Sequence, residues 1–188
     1  MEQPGGRGQG GVLGVNGFGR IGKLSVWHHV ARKFYSEIVV NIGREAGVGM
    51  ADLAHYVERD SSYGRLAQYL HGHRSSSVIS DIDEAGNSLT IDGVRVRFLK
   101  SARNPAEIAW RDHAVKLVVE TTGRFLDPTL PPDHPGGAIR GHLEAGADLV
   151  VASAPFKIKD KGQSMPEDAT TTVMGINAND FDPRRHRL

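Results

Sequence analysis

The chain has 188 residues, 39% of them hydrophobic and 24% charged, which is enough apolar material for one domain with a real core. A formal net charge of +1 gives no pull toward nucleic acid or an anionic membrane, and no apolar run approaches the roughly 20 residues of a membrane span. There is no cysteine, which excludes disulfides, a zinc–thiolate site and a cysteine nucleophile within this chain; with no apolar signal segment in the first ten residues, the expected compartment is the cytosol.

Met1 to Gly10 is Gly-rich and polar and is expected to be a disordered tail, followed by one folded domain over 11–188. Gly11 to Asn16 reads as a buried parallel strand that runs into Gly17-Phe18-Gly19-Arg20-Ile21-Gly22. A strand, this glycine spacing and then a helical pattern form the order that a dinucleotide requires. Gly17 makes the tight turn, Gly19 lets the backbone approach a pyrophosphate, and Gly22 lets the helix pack on the strand. The unpaired N–H groups at the helix start suit an anion. The helix is predicted over Arg20 to Tyr35, with Ile21, Leu24, Trp27, Ala31 and Phe34 as its inward stripe. His28 and His29 are adjacent on it, share no face, and are not read as metal ligands.

Glu37 to Ile42 is the second strand and completes a βαβ unit. An NAD site usually carries an acid on the adenosine ribose about 20 residues past the glycines. Here the sequence reads Asn41-Ile42-Gly43-Arg44, without that acid. Two readings of Arg44 stay open: it receives a 2′-phosphate, so that the site tolerates or prefers NADP, or it is a loop charge.

Further on, Gly49 to Arg59 is predicted to be a helix with Leu53, Tyr56 and Val57 inward, and Asp60 to Gly64 a turn. The stretch up to Ile82 has no clear pattern. Asn87 to Thr90 and Val94 to Leu99 flank Ile91-Asp92-Gly93 as a hairpin. Asn104 opens a short helix that ends near Trp110, with Pro105 at its first position. Val115 to Glu120 is a strand, Asp127 to Gly137 a Pro/Gly-rich loop, Ala138 to Ala145 a helix closed by Gly146, and Leu149 to Ala152 a strand. Phe156 to Ala169 is a polar, Lys-rich solvated loop, and Thr171 to Ile176 a last strand. The fold class is α/β: a Rossmann-type open, mostly parallel sheet with helices on both faces.

Gly14 to Gly22 resembles the opening of phosphorylating glyceraldehyde-3-phosphate dehydrogenases, as do Asp60-Ser61-Ser62-Tyr63-Gly64, the segment Arg103 to Trp110, and Val118 to Phe125. His142-Leu143-Glu144-Ala145-Gly146-Ala147 leading to Ser153-Ala154-Pro155, and then Val173 to Asn177, resemble the same family in the same order. The resemblance implies a nicotinamide dinucleotide, NAD or NADP, as cofactor. It implies that Asn16, Gly17, Phe18, Gly19, Arg20 and Ile21 cradle the pyrophosphate and that Asn41 ends the second strand. Arg103 would lie beside the adenine. Thr122, Gly123 and Phe125 would line the path toward the nicotinamide, and Ser153 and Ala154 would close over it; for Thr122 and Ser153 strand-end capping is the alternative.

For a complete enzyme the resemblance implies oxidation of an aldehyde phosphate with inorganic phosphate, and a homotetramer. Three departures stand out: the missing ribose acid, Tyr63 where the family usually has His, and two insertions around Pro128 to Gly137 and Lys157 to Ala169. The family's Ser-x-Cys-Thr-Thr motif would follow a few residues after Asn177 and is not in this sequence. The chain is therefore expected to hold the cofactor module of such an oxidoreductase without its catalytic domain and with no catalytic residue of its own. The other reading is a stand-alone nucleotide-binding module.

Overall fold

The computed structural model describes residues 10–43, 49–74, 77–100 and 102–188. The tail expected over 1–10 lies, up to residue 9, outside the described residues, and so does Arg44.

A seven-stranded sheet organises the described residues. Its parallel part is β7 (Val94–Leu99), β2 (Glu37–Asn41), β1 (Val12–Asn16), β8 (Val115–Glu120) and β9 (Leu149–Ala152), side by side in that order. Antiparallel strands β6 (Ser88–Ile91) and β5 (Ile79–Asp83) extend the β7 edge. The turn between β6 and β7 is the anticipated Asp-Gly: Asp92 and Gly93 have φ of 46° and 80°, the two left-handed conformations that a two-residue hairpin turn demands.

Alternation along the strands divides the core in two. Leu13, Val15, Ile38 and Val40 face α1 (Arg20–Arg32), α2 (Met50–Glu58) and α3 (Leu66–His71), together with Val26, Trp27, Val30, Leu53 and Val57. Val39, Val118 and Val150 face the other way, toward Ile108, Trp110, Ile139 and Ala145. Among the described residues the helical structure of that second layer is the short α4 (Gly141–Glu144) and 3-10 turns at Pro105–Glu107 and Arg111–His113. A small hairpin, β3 (Arg59–Asp60) and β4 (Gly64–Arg65), follows α2.

The structure corrects several expectations. Helix α1 stops at Arg32, where Lys33 turns left-handed at φ 53°. Its buried face is Gly22, Lys23, Val26, Trp27 and Val30, whereas Ile21 and Phe34 stand 53% and 61% exposed. The face shifts because Lys23 is drawn inward by a partner from β3, described below. On α2, Met50, Leu53, Ala54 and Val57 are buried and Tyr56 is not. β5 and α3 occupy the stretch that showed no pattern. The helix expected from Asn104 to Trp110 is one 3-10 turn, Pro105–Glu107; Asn104 Oδ1 caps it by accepting the Ala106 N–H at 3.2 Å. The helix expected over 138–145 shrinks to α4.

Thr171 to Ile176 forms no strand: Val173 to Ile176 is a turn held by Asn177 Oδ1, which accepts the Val173 N–H. The outer edge of β9 is engaged elsewhere, because the Val150 N–H donates to the Arg187 carbonyl at 2.9 Å. Strand-forming residues without a free ladder beside them stay out of the sheet.

Candidate functional site

The C-terminal ends of the parallel strands lie at one level. Asn16 of β1 pairs in register with Asn41 of β2 and Glu120 of β8, and Glu120 pairs with Ala152 of β9. This is the edge where open α/β sheets bind ligands.

The turn after β1 is built from close approaches. Gly17 has φ +95°, and its N–H donates to the Asn41 carbonyl at 2.8 Å. A Cβ on Gly22 would lie 2.1 Å from the Gly17 carbonyl oxygen, so only glycine lets α1 start this near the turn. Gly19 is different. It is extended at φ −75°, and a Cβ there would meet nothing within 4 Å. No side chain caps α1, and its first turn carries no acid. The first helical hydrogen bond runs from the Lys23 N–H to the Gly19 carbonyl at 2.9 Å, so the N–H groups of Arg20, Ile21 and Gly22 have no intrahelical acceptor. A helix start with spare donors, no competing carboxylate and open space over its glycine is shaped for an anion.

Beneath this cradle lies a buried polar network that sequence reading did not single out. Glu120 is 1% exposed and accepts from four donors: Asn16 Nδ2 at 2.6 Å and His142 Nε2 at 2.9 Å on one oxygen, and the N–H (2.7 Å) and hydroxyl of Thr122 on the other. Four donors satisfy an ionised carboxylate, which only accepts. Trp110 Nε1–H donates to His142 Nδ1 at 2.9 Å, which leaves the His142 proton on Nε2, directed at Glu120. Asn41 Nδ2 donates to Asn16 Oδ1 at 2.8 Å and to the Ala102 carbonyl at 3.1 Å. Asn41 Oδ1 is buried without a protein donor among the described residues, an orphan acceptor at the end of β2. The signal available in the sequence was the acid that ends the apolar run Val115 to Glu120.

A second network steadies the start of α1. Buried Asp60 receives the Ser62 and Tyr63 N–H groups and pairs with Lys23 at 3.0 Å and Arg20 at 3.5 Å. Lys23 also donates to the Arg59 carbonyl and lies over the Tyr56 ring. The Ser62 N–H first, then Lys23 and the Tyr63 N–H, hold the Asp60 carboxyl at about 2, against the resistance of burial. A folded-state value below the unfolded 3.8 means that this stabilisation is fully present above pH 3.8 and is lost as pH falls through about 2. Denaturant unfolding at about pH 4 and pH 2 should therefore show falling stability in the native protein and a shallower fall in Asp60→Asn; equal slopes would contradict this assignment.

The remaining candidates are placed as follows. Phe18 packs edge-on to Tyr56 and Phe98 at 5.4 and 5.3 Å. The side chains of Arg20 and Ile21 are exposed, with Arg20 donating to Ser61 Oγ at 2.9 Å. Arg103 is exposed and donates to the Gly43 carbonyl at 2.9 Å, just beyond β2. Thr122 and Gly123 are exposed past β8, whereas Phe125 is buried with Ala102, Ile108 and Trp110 under the second layer. The Ser153 N–H donates to the Glu120 carbonyl at 2.9 Å, and Ser153 and Ala154 line a cleft of about 430 Å³ with Val151, Val173 and Phe181. The edge thus brings together Asn16 to Ile21, Asn41 and Thr122, with Arg103 past one flank and Ser153 past the other. Among the described residues no group of three or more His, Asp or Glu is placed to hold a metal ion.

Residues 12–128 match the family model described as glyceraldehyde 3-phosphate dehydrogenase, NAD binding domain. The chain belongs to this family. It is 34% identical over 177 residues to the glyceraldehyde-3-phosphate dehydrogenase of Geobacillus stearothermophilus, covering 94% of this chain and 42% of that protein. It is 31% identical to glyceraldehyde-3-phosphate dehydrogenase 2 of Bacillus subtilis, covering 93% and 41%. The chloroplastic glyceraldehyde-3-phosphate dehydrogenase A of Chlamydomonas reinhardtii is 29% identical, with 90% and 37% covered. The chain thus spans about two-fifths of the length of the curated relatives it matches. The Rossmann-type sheet and the NAD-binding assignment of the family agree with the sequence reading. No helix among the described residues is long and apolar enough to cross a membrane.

Proposed function

We propose that the chain is the cofactor-binding part of a cytosolic, homo-oligomeric, phosphorylating aldehyde dehydrogenase that acts on an aldehyde phosphate. The single observation that carries this reading is the uncapped start of α1 with open space over Gly19, which fits a diphosphate. The N–H groups from Gly19 to Gly22 would hold the diphosphate, with Asn16, Asn41 and Thr122 around it and Arg103 toward the adenosine end. The orphan Asn41 Oδ1 would receive a donor from the cofactor side. The nicotinamide, when bound, accepts a hydride from the substrate carbon. A thiol nucleophile for that chemistry must come from outside these 188 residues, which contain no cysteine. Val151, Val173, Met174 and Ile176 are large apolar side chains left at 48% exposure or more, a surface suited to association with further protein.

Ile42, directly after β2, stands where an NAD-selective site would carry its ribose acid. The proposal is that the site accepts NADP at least as well as NAD. Calorimetric titration of the chain with each dinucleotide tests both levels of the reading. Saturable binding of both, with NADP no weaker, is expected. Clearly tighter NAD would reject the NADP preference, and binding of neither would reject the cofactor function.

A further inference from the structure

The two segments that depart from the family pattern fold onto each other. Asp127, 5% exposed, clasps them: Oδ1 accepts the Thr129 N–H (3.0 Å) and hydroxyl (2.6 Å), and Oδ2 accepts the Lys159 N–H (3.0 Å). The Lys157 N–H donates to the Leu126 carbonyl at 2.8 Å. Arg140 ties the far ends, with Asp168 bidentate at 2.6 and 2.9 Å and the Pro128 carbonyl at 2.6 Å. Two loops without regular structure are thus held in one geometry by buried and half-buried polar bonds.

Between them lies a cleft of about 390 Å³, lined by Arg124, Lys157, Lys159 and His134 and floored by Phe125 and Gly137. Arg124, Lys157 and Lys159 make no ion pair within 4 Å among the described residues. The acid of the lining, Asp127, is anchored by the clasp and keeps its charge, which the nearby Lys159 favours. Asp160, on the same loop, turns to the Gly162 N–H and Gln163 outside the lining. His134 Nδ1 accepts the Gly136 N–H at 3.1 Å, which leaves Nε2 to donate. Three cations against one fixed carboxylate leave a positive excess around the hollow, and an anion there offsets it. The volume exceeds what a bare ion fills.

We propose that this cleft is a binding site for the phosphate monoester of a small molecule, with Lys157, Lys159 and Arg124 taking the dianion. The site shares Gly123 and Phe125 with the residues past β8, and a free monoester would fill it without the dinucleotide. Two sources supply this chemistry, a free phosphorylated metabolite and the 2′-phosphate of NADP. The test is calorimetry on the full chain at constant ionic strength, with inorganic phosphate and glycerol 3-phosphate as probes, then NAD and NADP, for the native protein and Lys157→Ala/Lys159→Ala. Both lysines are exposed, so the variant should fold unchanged. Saturable phosphate or monoester binding, weakened about tenfold in the variant while NAD affinity stays the same, supports a free ligand. A tenfold loss confined to NADP supports the cofactor's own phosphate. Phosphate, monoester and NADP binding all unchanged by the substitutions, or absent from the native protein, overturns the site. NAD affinity reports separately on the cofactor reading.

Discussion

Glu120→Gln should lower unfolding stability by about 2–4 kcal/mol, or roughly 5–12 °C in Tm for a chain of this size, and weaken dinucleotide binding about tenfold or more. The substitution keeps the shape and removes one acceptor. If the new amide NH2 faces Thr122, it opposes a backbone N–H that cannot turn away. If it faces Asn16 and His142, it opposes two donors. A switch of the His142 proton to Nδ1 only moves the clash to Trp110 Nε1–H. Every rearrangement leaves a buried donor without an acceptor. Because Asn16 and Thr122 border the strand edge proposed to hold the cofactor, the displacement reaches that edge. His142→Gln is the control: its carbonyl accepts from Trp110 and its amide donates to Glu120, so most of the stability and affinity should return. Thermal unfolding with parallel calorimetry reads both. A Glu120→Gln protein with native Tm would refute the network as a structural element, and native affinity in a destabilised variant would remove its hold on the proposed cofactor edge.

Gly19→Ala should separate folding from binding. The backbone at Gly19 is allowed to any residue, and a Cβ there meets no protein atom within 4 Å, so unfolding free energy should change by about 1 kcal/mol or less. The methyl group enters the space that a diphosphate would occupy. Affinity for NAD should fall about 10–100-fold, or roughly 1.4–2.8 kcal/mol. Unchanged affinity in the folded variant would place the dinucleotide elsewhere.

Sequence reading located what is encoded locally. β1, β2, β8 and β9 are apolar runs with clear bounds, and the β6–β7 turn follows from Asp92-Gly93 alone. The glycine turn was legible at Gly17, with its positive φ, and at Gly22, with its close approach to the Gly17 carbonyl; Gly19 answers no steric need within the protein itself. Lys23, by contrast, sits on the buried face of α1 only because Asp60, 37 positions away, neutralises it. The Trp110–His142–Glu120 chain joins residues 32 and 22 positions apart, and no periodicity announces such a contact. Val173 to Ile176 has strand-forming side chains, yet whether it pairs depends on the edge of β9, which Arg187 engages. The clasp on Asp127 is invisible in two loops read one at a time.

The most direct test of the account follows backbone amides of the ¹⁵N-labelled chain by NMR during titration with NAD. If the start of α1 grips the diphosphate, the largest saturable shifts fall on the N–H groups of Gly19 to Gly22, with smaller ones at Asn41 and Thr122. Saturable binding that leaves those four amides unmoved would contradict it.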